Sequence, residues 1–223
     1  MRRAGPLLVI FDCDGVLVDS ETIASRLVAE ELTDLGWAMT ASQAQARFLG
    51  MALPEMVRVI TNRLGKLPDG WLAAVTERIV ARMSREATLM PGIVGVLEQV
   101  SAMGLPWRVA SNSSRAEMQA KFAVTGLDRL VGDRFHSGLE VDRPKPAPDV
   151  FLAAAAAGGV APSQCVVVED SEVGVAGARA AGMDVLAYVP HGETAPFHAL
   201  GAEPFAELAV IPDLLRARLA GRA

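Results

Sequence analysis

Asp12 and Asp14 stand one residue apart in LLVIFDCDGVLVDSE, residues 7–21. Two carboxylates so placed could hold a hard cation, supply a nucleophile and move a proton. Mg2+ is usually held by one or two carboxylates together with substrate phosphate oxygens. The five residues before Asp12 are all apolar, and a turn signal, Gly15, follows. That is the pattern of a strand buried on both faces. Open parallel sheets bind ligands at the carboxyl ends of their strands, and carboxylates there are costly unless something pairs them. The plainer reading of the pair is a cap on a turn into a helix, a common use of aspartate.

Three other segments also carry polar groups. WRVA runs into Ser111-Asn112-Ser113-Ser114. A hydroxyl and successive N–H groups entering a helix suit a phosphate oxygen, although an ordinary N-cap reads the same way. RPKPAPD, residues 143–149, presents Lys145 between two prolines. Prolines stiffen the loop, but a solvated lysine in a turn would look alike. CVVV ends in Glu169-Asp170-Ser171, a second acidic pair. Two acidic strand ends in one parallel sheet would repel unless a cation lay between them. That pairing separates the chemical reading from a set of independent caps.

The elements that must position these groups follow from hydrophobic period. Helices are expected over 21–36, 41–48, 53–64 and 69–85, so residues 20–90 read as an all-helical insert without a convincing strand. After Met90-Pro91-Gly92 the pattern alternates. Strands are expected at 107–111, 134–137, 165–169 and 184–189, with helices at 93–103, 115–125, 149–157, 173–181 and 212–219. The fold class is therefore α/β: a Rossmann-like parallel sheet with helices on both faces, plus an inserted helical domain. Residues 1–19 and 91–223 form the expected core, and 20–90 the insert.

Composition narrows the function classes. The chain has 223 residues, half of them apolar, and a net charge of −5. No basic patch interleaved with aromatics is present, so a nucleic-acid partner is not expected. Two cysteines, Cys13 and Cys165, point to a reducing compartment, and Cys13 reads as a small buried filler rather than a nucleophile. The opening MRRAGPLLVIF is interrupted by Asp12 and no small-residue cleavage site follows. No run is long enough to span a membrane, so a cytoplasmic protein is expected. His136, His191 and His198 are too scattered for a zinc site. Oligomeric state is not legible in the sequence.

In this order and spacing the chain resembles the haloacid dehalogenase superfamily, in its phosphatase branch. FDCDGVLVDSE is similar to the first motif, ASNSS to the second, RPKPAPD to the third and VVVEDSEVG to the fourth. The helical insert stands where that family carries a small cap domain. The resemblance implies that Asp12 attacks phosphorus to form an aspartyl-phosphate and that Asp14 serves as general acid and then base. It implies Mg2+ held by Asp12, the Asp14 backbone carbonyl and Asp170, with Glu169 beside it, directly or through water. It assigns phosphoryl oxygens to Ser111, the Asn112 N–H and Lys145. In the cap, RFLGMALPEM would bring Arg47, Gly50, Met51 and Ala52 to the substrate. The expected partner is a small phosphorylated metabolite, a sugar or sugar-acid phosphate such as 6-phosphogluconate.

Alternatives remain. A phosphosugar mutase of the family would carry a histidine where this chain has Ala24, and cap cations where it has Leu49 and Leu53. A phosphoglycolate phosphatase fits the same motifs. A phospho-accepting regulatory domain uses similar residue types, but it is smaller and its accepting aspartate ends a strand internal to the chain, whereas Asp12 ends the first expected strand and a helical insert follows. Hinges are expected near Ser20 and residues 90–92, as for lids in general. Solution scattering with and without a phosphate analogue should therefore differ, and identical curves would count against a moving cap.

Overall fold

The structure, a computed structural model, describes residues 7–48 and 53–221. The chain divides into two compact units, Met1–Val18 with Leu89–Ala223, and Asp19–Thr88. It opens with β1 (Leu8–Phe11). β2 (Val18–Asp19) and β3 (Thr88–Leu89) form a two-stranded sheet where the chain leaves the first unit and rejoins it.

The second unit holds α1 (Glu21–Asp34), α2 (Ala41–Phe48), α3 (Leu53–Leu64) and α4 (Trp71–Glu86). Their apolar faces share one core built on Leu27, Leu32, Phe48, Ile60, Trp71 and Val75. Arg78 to Glu31 at 2.7 Å and Arg82 to Glu30 at 2.8 Å link α4 to α1 at the surface. The helix expected from residue 69 starts at Trp71, because Gly70 sits at φ +75° and turns the chain immediately before it.

The rest of the first unit alternates. In order come α5 (Ile93–Ala102), β4 (Trp107–Ser111), α6 (Arg115–Thr125), α7 (Asp128–Val131), β5 (Phe135–Ser137) and α8 (Asp149–Ala157). Then follow β6 (Cys165–Glu169), α9 (Glu172–Ala180), β7 (Asp184–Tyr188), α10 (Ala195–Ala199), β8 (Glu203–Phe205) and α11 (Ile211–Ala220). The sheet runs β5-β4-β1-β6-β7-β8, with parallel pairing throughout. The short elements α7, α10 and β8 escape the sequence pattern. β8 is three residues long and contains Pro204, which an edge strand tolerates because one side of it is unpaired.

β1 lies inside this sheet, and all four of its residues are 0% exposed. Leu8 and Ile10 join one core with Val150, Phe151 and Ala154 of α8 and Val167 of β6. Phe11 meets Trp107 edge-on at 6.2 Å. Coverage on both faces is why β1 is apolar without alternation. Phe11 is in register with Val109 of β4 and Val168 of β6. The ends of these three strands therefore lie side by side, where the chain switches from one side of β1 to the other. Ligands bind at such switch points in open parallel sheets.

Ile10 sits between two strands and beneath α8, so its truncation leaves a void that cannot close. Ile10→Ala is expected to lower unfolding free energy by about 2–5 kcal/mol, as read by urea denaturation.

Candidate active site

Asp12 follows β1 directly. Its N–H donates to the Val168 carbonyl at 2.9 Å, extending the ladder with β6 and fixing where the side chain emerges. The carboxylate is 6% exposed. Lys145 Nζ donates to Asp12 Oδ1 at 2.5 Å and to Glu169 Oε1 at 2.6 Å. One buried ammonium thus bridges the ends of β1 and β6. The other Glu169 oxygen accepts from the Asp170 N–H, the Ser171 N–H and the Ser171 hydroxyl at 2.9–3.0 Å. Ser171 also caps α9 by accepting from the Gly174 N–H. A Cβ on Gly174 would stand 1.7 Å from Glu169 Oε1, so only glycine leaves room for that carboxylate.

The loop before α8 is held from the β4 end. The Asn112 side chain accepts from the Lys145 N–H at 2.9 Å and donates to the Lys145 carbonyl at 3.2 Å. The sequence reading gave Asn112 a backbone role, whereas here its amide docks the lysine loop. A Cβ on Gly138 would lie 2.4 Å from Asn112 Oδ1. Lys145 also packs its ammonium 4.8 Å from the Phe151 ring centroid.

Asp14 belongs to a second network. Lys121 Nζ donates to Asp14 Oδ1 at 2.6 Å, and the Ser113 hydroxyl donates to Oδ2 at 2.8 Å. Ser111 Oγ lies 3.4 Å from the same Oδ2 and accepts from the Ser113 N–H at 3.0 Å. Ser114 caps α6 in a reciprocal box with Glu117. The sequence reading missed Lys121 and Ser113. Its available signal was a lysine within the apolar stripe of α6, where Met118, Lys121 and Phe122 are all buried.

The electrostatics follow from burial. Burial pushes the Asp12 carboxyl up to about 7 against the pull of Lys145, with Glu169 and Asp14 adding to the rise. For Lys145, burial opposes the charged form, but Asp12 and Glu169 outweigh it and hold the ammonium above its ordinary value. Burial likewise works against Lys121, and Asp14 outweighs it. Burial and then Asp14 push the Cys13 thiol well up. Cys13 and Cys165 are both buried and form no disulfide, and a buried thiol with a raised pKa is a poor nucleophile.

Asp12, Glu169 and Asp170 each bring a carboxylate oxygen within 4.8 Å of the others. With Asp14 ionised, four carboxylates meet two ammonium groups, Lys121 and Lys145. Two negative charges are left over, which one divalent cation would offset. The donors are all oxygen, so the set fits a hard cation. Arg47 lies in the second unit and is exposed, its guanidinium 5.2 Å from the Trp37 ring centroid. Gly50, Met51 and Ala52 lie outside the described residues.

A parallel sheet with an aspartate at its switch point, a buried lysine across it and an acidic pair beside it defines a Rossmann-like hydrolase. Residues 7–182 match the model of the haloacid dehalogenase-like hydrolase family, and the chain belongs to that family. It is similar to 6-phosphogluconate phosphatase of Escherichia coli K12, with 30% identity over 94% of this chain and 95% of that one. It also resembles hexitol phosphatase A of the same organism, with 33% identity over 80% of this chain and 81% of that one. The solved structure of a conserved haloacid dehalogenase-like protein from Agrobacterium tumefaciens C58 superposes with a TM-score of 0.85. That protein is 32% identical, and the match covers 96% of this chain and all of the other. No helix among the described residues is long and apolar enough to cross a membrane.

Gly15 has φ +77°, and a Cβ there would stand 1.8 Å from Asp170 Oδ2. Gly15→Ala is expected to displace that carboxylate and lower the site's affinity for a divalent cation by about 10–100-fold, as read by calorimetric titration. Gly95→Ala, where a Cβ meets nothing within 4 Å, is the matched control.

Proposed function

We propose that the protein is a Mg2+-dependent phosphomonoesterase acting on a sugar, sugar-acid or sugar-alcohol phosphate through an aspartyl-phosphate on Asp12. The observation that carries this reading is the Asp12–Lys145–Glu169 bridge beside Asp170 at the switch point of the sheet. The names of the E. coli relatives, 6-phosphogluconate phosphatase and hexitol phosphatase A, support the substrate class.

An Asp12 oxygen attacks phosphorus in line with the leaving oxygen. Asp14 gives its proton to that oxygen, and the sugar departs as the alcohol. Asp14, now a carboxylate, takes a proton from water as the water attacks the aspartyl-phosphate, and phosphate and free Asp12 result. Lys145 has three N–H donors, two of them occupied by carboxylates, and the third serves a phosphoryl oxygen. Ser111 and the Asn112 N–H bind further phosphoryl oxygens. Asp12, Asp170 and the Asp14 backbone carbonyl would hold Mg2+, with Glu169 acting from outside because both its oxygens are engaged. When bound, Mg2+ would offset the negative charge of Asp12 and of the phosphoryl group. Catalysis on this account is positioning plus electrostatics. Arg47, Gly50, Met51 and Ala52 of the helical insert select the substrate.

Phosphate release should be measured on 6-phosphogluconate, sorbitol 6-phosphate, glucose 6-phosphate, ribose 5-phosphate, phosphoglycolate and β-glucose 1-phosphate. Release is expected to need Mg2+ and to fall at least about 1000-fold in Asp12→Asn. Isomerisation of β-glucose 1-phosphate without release would make the protein a mutase. Stable labelling of Asp12 without turnover would make it a regulatory module.

A further inference from the structure

Lys121 and Lys145 are the buried lysines among the described residues, and the mechanism above uses only Lys145. Lys121 is 3% exposed and comes from α6, outside the four strand-end segments. A buried ammonium costs several kcal/mol unless its partners compensate. Those partners are specific. Nζ donates to Asp14 Oδ1 at 2.6 Å and to Ser113 Oγ at 3.0 Å, and Ser113 Oγ donates to Asp14 Oδ2 at 2.8 Å. The three groups close a ring in which each Asp14 oxygen has its own donor.

A carboxylate gripped on both oxygens has one orientation. A group that hands over a proton and takes one back needs a fixed direction before it needs any particular acidity. The ring is braced as well. Ser137 Oγ donates to the Ser113 carbonyl at 2.7 Å, and the reciprocal cap of Ser114 and Glu117 fixes the start of α6. We propose that Lys121 is a positioning residue that, with Ser113, sets the orientation of the Asp14 carboxylate for proton transfer. This rests on the reading of Asp14 as the acid and base of phosphoryl transfer.

The leaving group provides the test. A sugar alkoxide must be protonated as it departs, whereas 4-nitrophenolate leaves without help. The ratio kcat/KM reports the steps through departure. Lys121→Met is expected to lower kcat/KM by about 10–100-fold on the best alkyl phosphate of the panel, with KM little changed. The loss on 4-nitrophenyl phosphate should be at least about tenfold smaller. Ser113→Ala should shift the two esters in the same sense, and it carries the test if Lys121→Met fails to fold by circular dichroism. Equal losses on both esters, or no loss in a folded variant, would overturn the assignment. Wild-type protein that releases phosphate from neither ester would instead remove the phosphatase reading, and this inference with it.

Discussion

The structure of the site depends on one ammonium group between two carboxylates. Asp12, Lys145 and Glu169 are each more than nine-tenths buried, and such charges survive only when they satisfy one another. The bridge needs β1 and β6 to be neighbours, which the strand order provides. It needs the Lys145 loop docked, which the Asn112 amide does from β4. It needs Glu169 turned toward Lys145, which Ser171, the start of α9 and the missing side chain at Gly174 secure. Residues far apart in the chain are therefore answerable to one electrostatic constraint. A hard cation beside it would compensate the charge that the two lysines leave uncovered.

Much of the core unit was legible in the sequence. β1 announces itself because burial on both faces leaves no polar position, and β6 does so for the same reason. The parallel architecture follows from the alternation after Gly92. Asp12, Ser111 and Glu169 stand out because they end apolar runs and Lys145 because prolines flank it, and the structure brings them together at the carboxyl ends of β1, β4 and β6. The period of α3 gives its bounds, Leu53–Leu64, directly.

What stayed hidden has physical reasons. β8 is too short, and too polar outside the pairing it makes, to leave a period. Lys121 is hidden by its residue type, since lysines are ordinarily read as solvated and nothing local marks its partner 107 positions away. Asn112 was noticed for its main chain when its side chain holds the third segment in place. Gly15, Gly138 and Gly174 read as turn or helix glycines, but each is also a gap that a carboxylate or amide occupies. Except for Gly174 against nearby Glu169, these are non-local pairings, and sequence period reports local ones.

Cys13 shows what the spacing of the two aspartates accomplishes. The residue between Asp12 and Asp14 packs into the core at the bend that follows β1, where it is 0% exposed and burial raises its thiol pKa. An exposed thiol one residue along the chain from a working carboxylate would be open to peroxide, alkylating agents and metals. Facing inward, it offers them nothing. Burial rather than a change of residue type is thus what separates this thiol from the solvent that reaches Asp14.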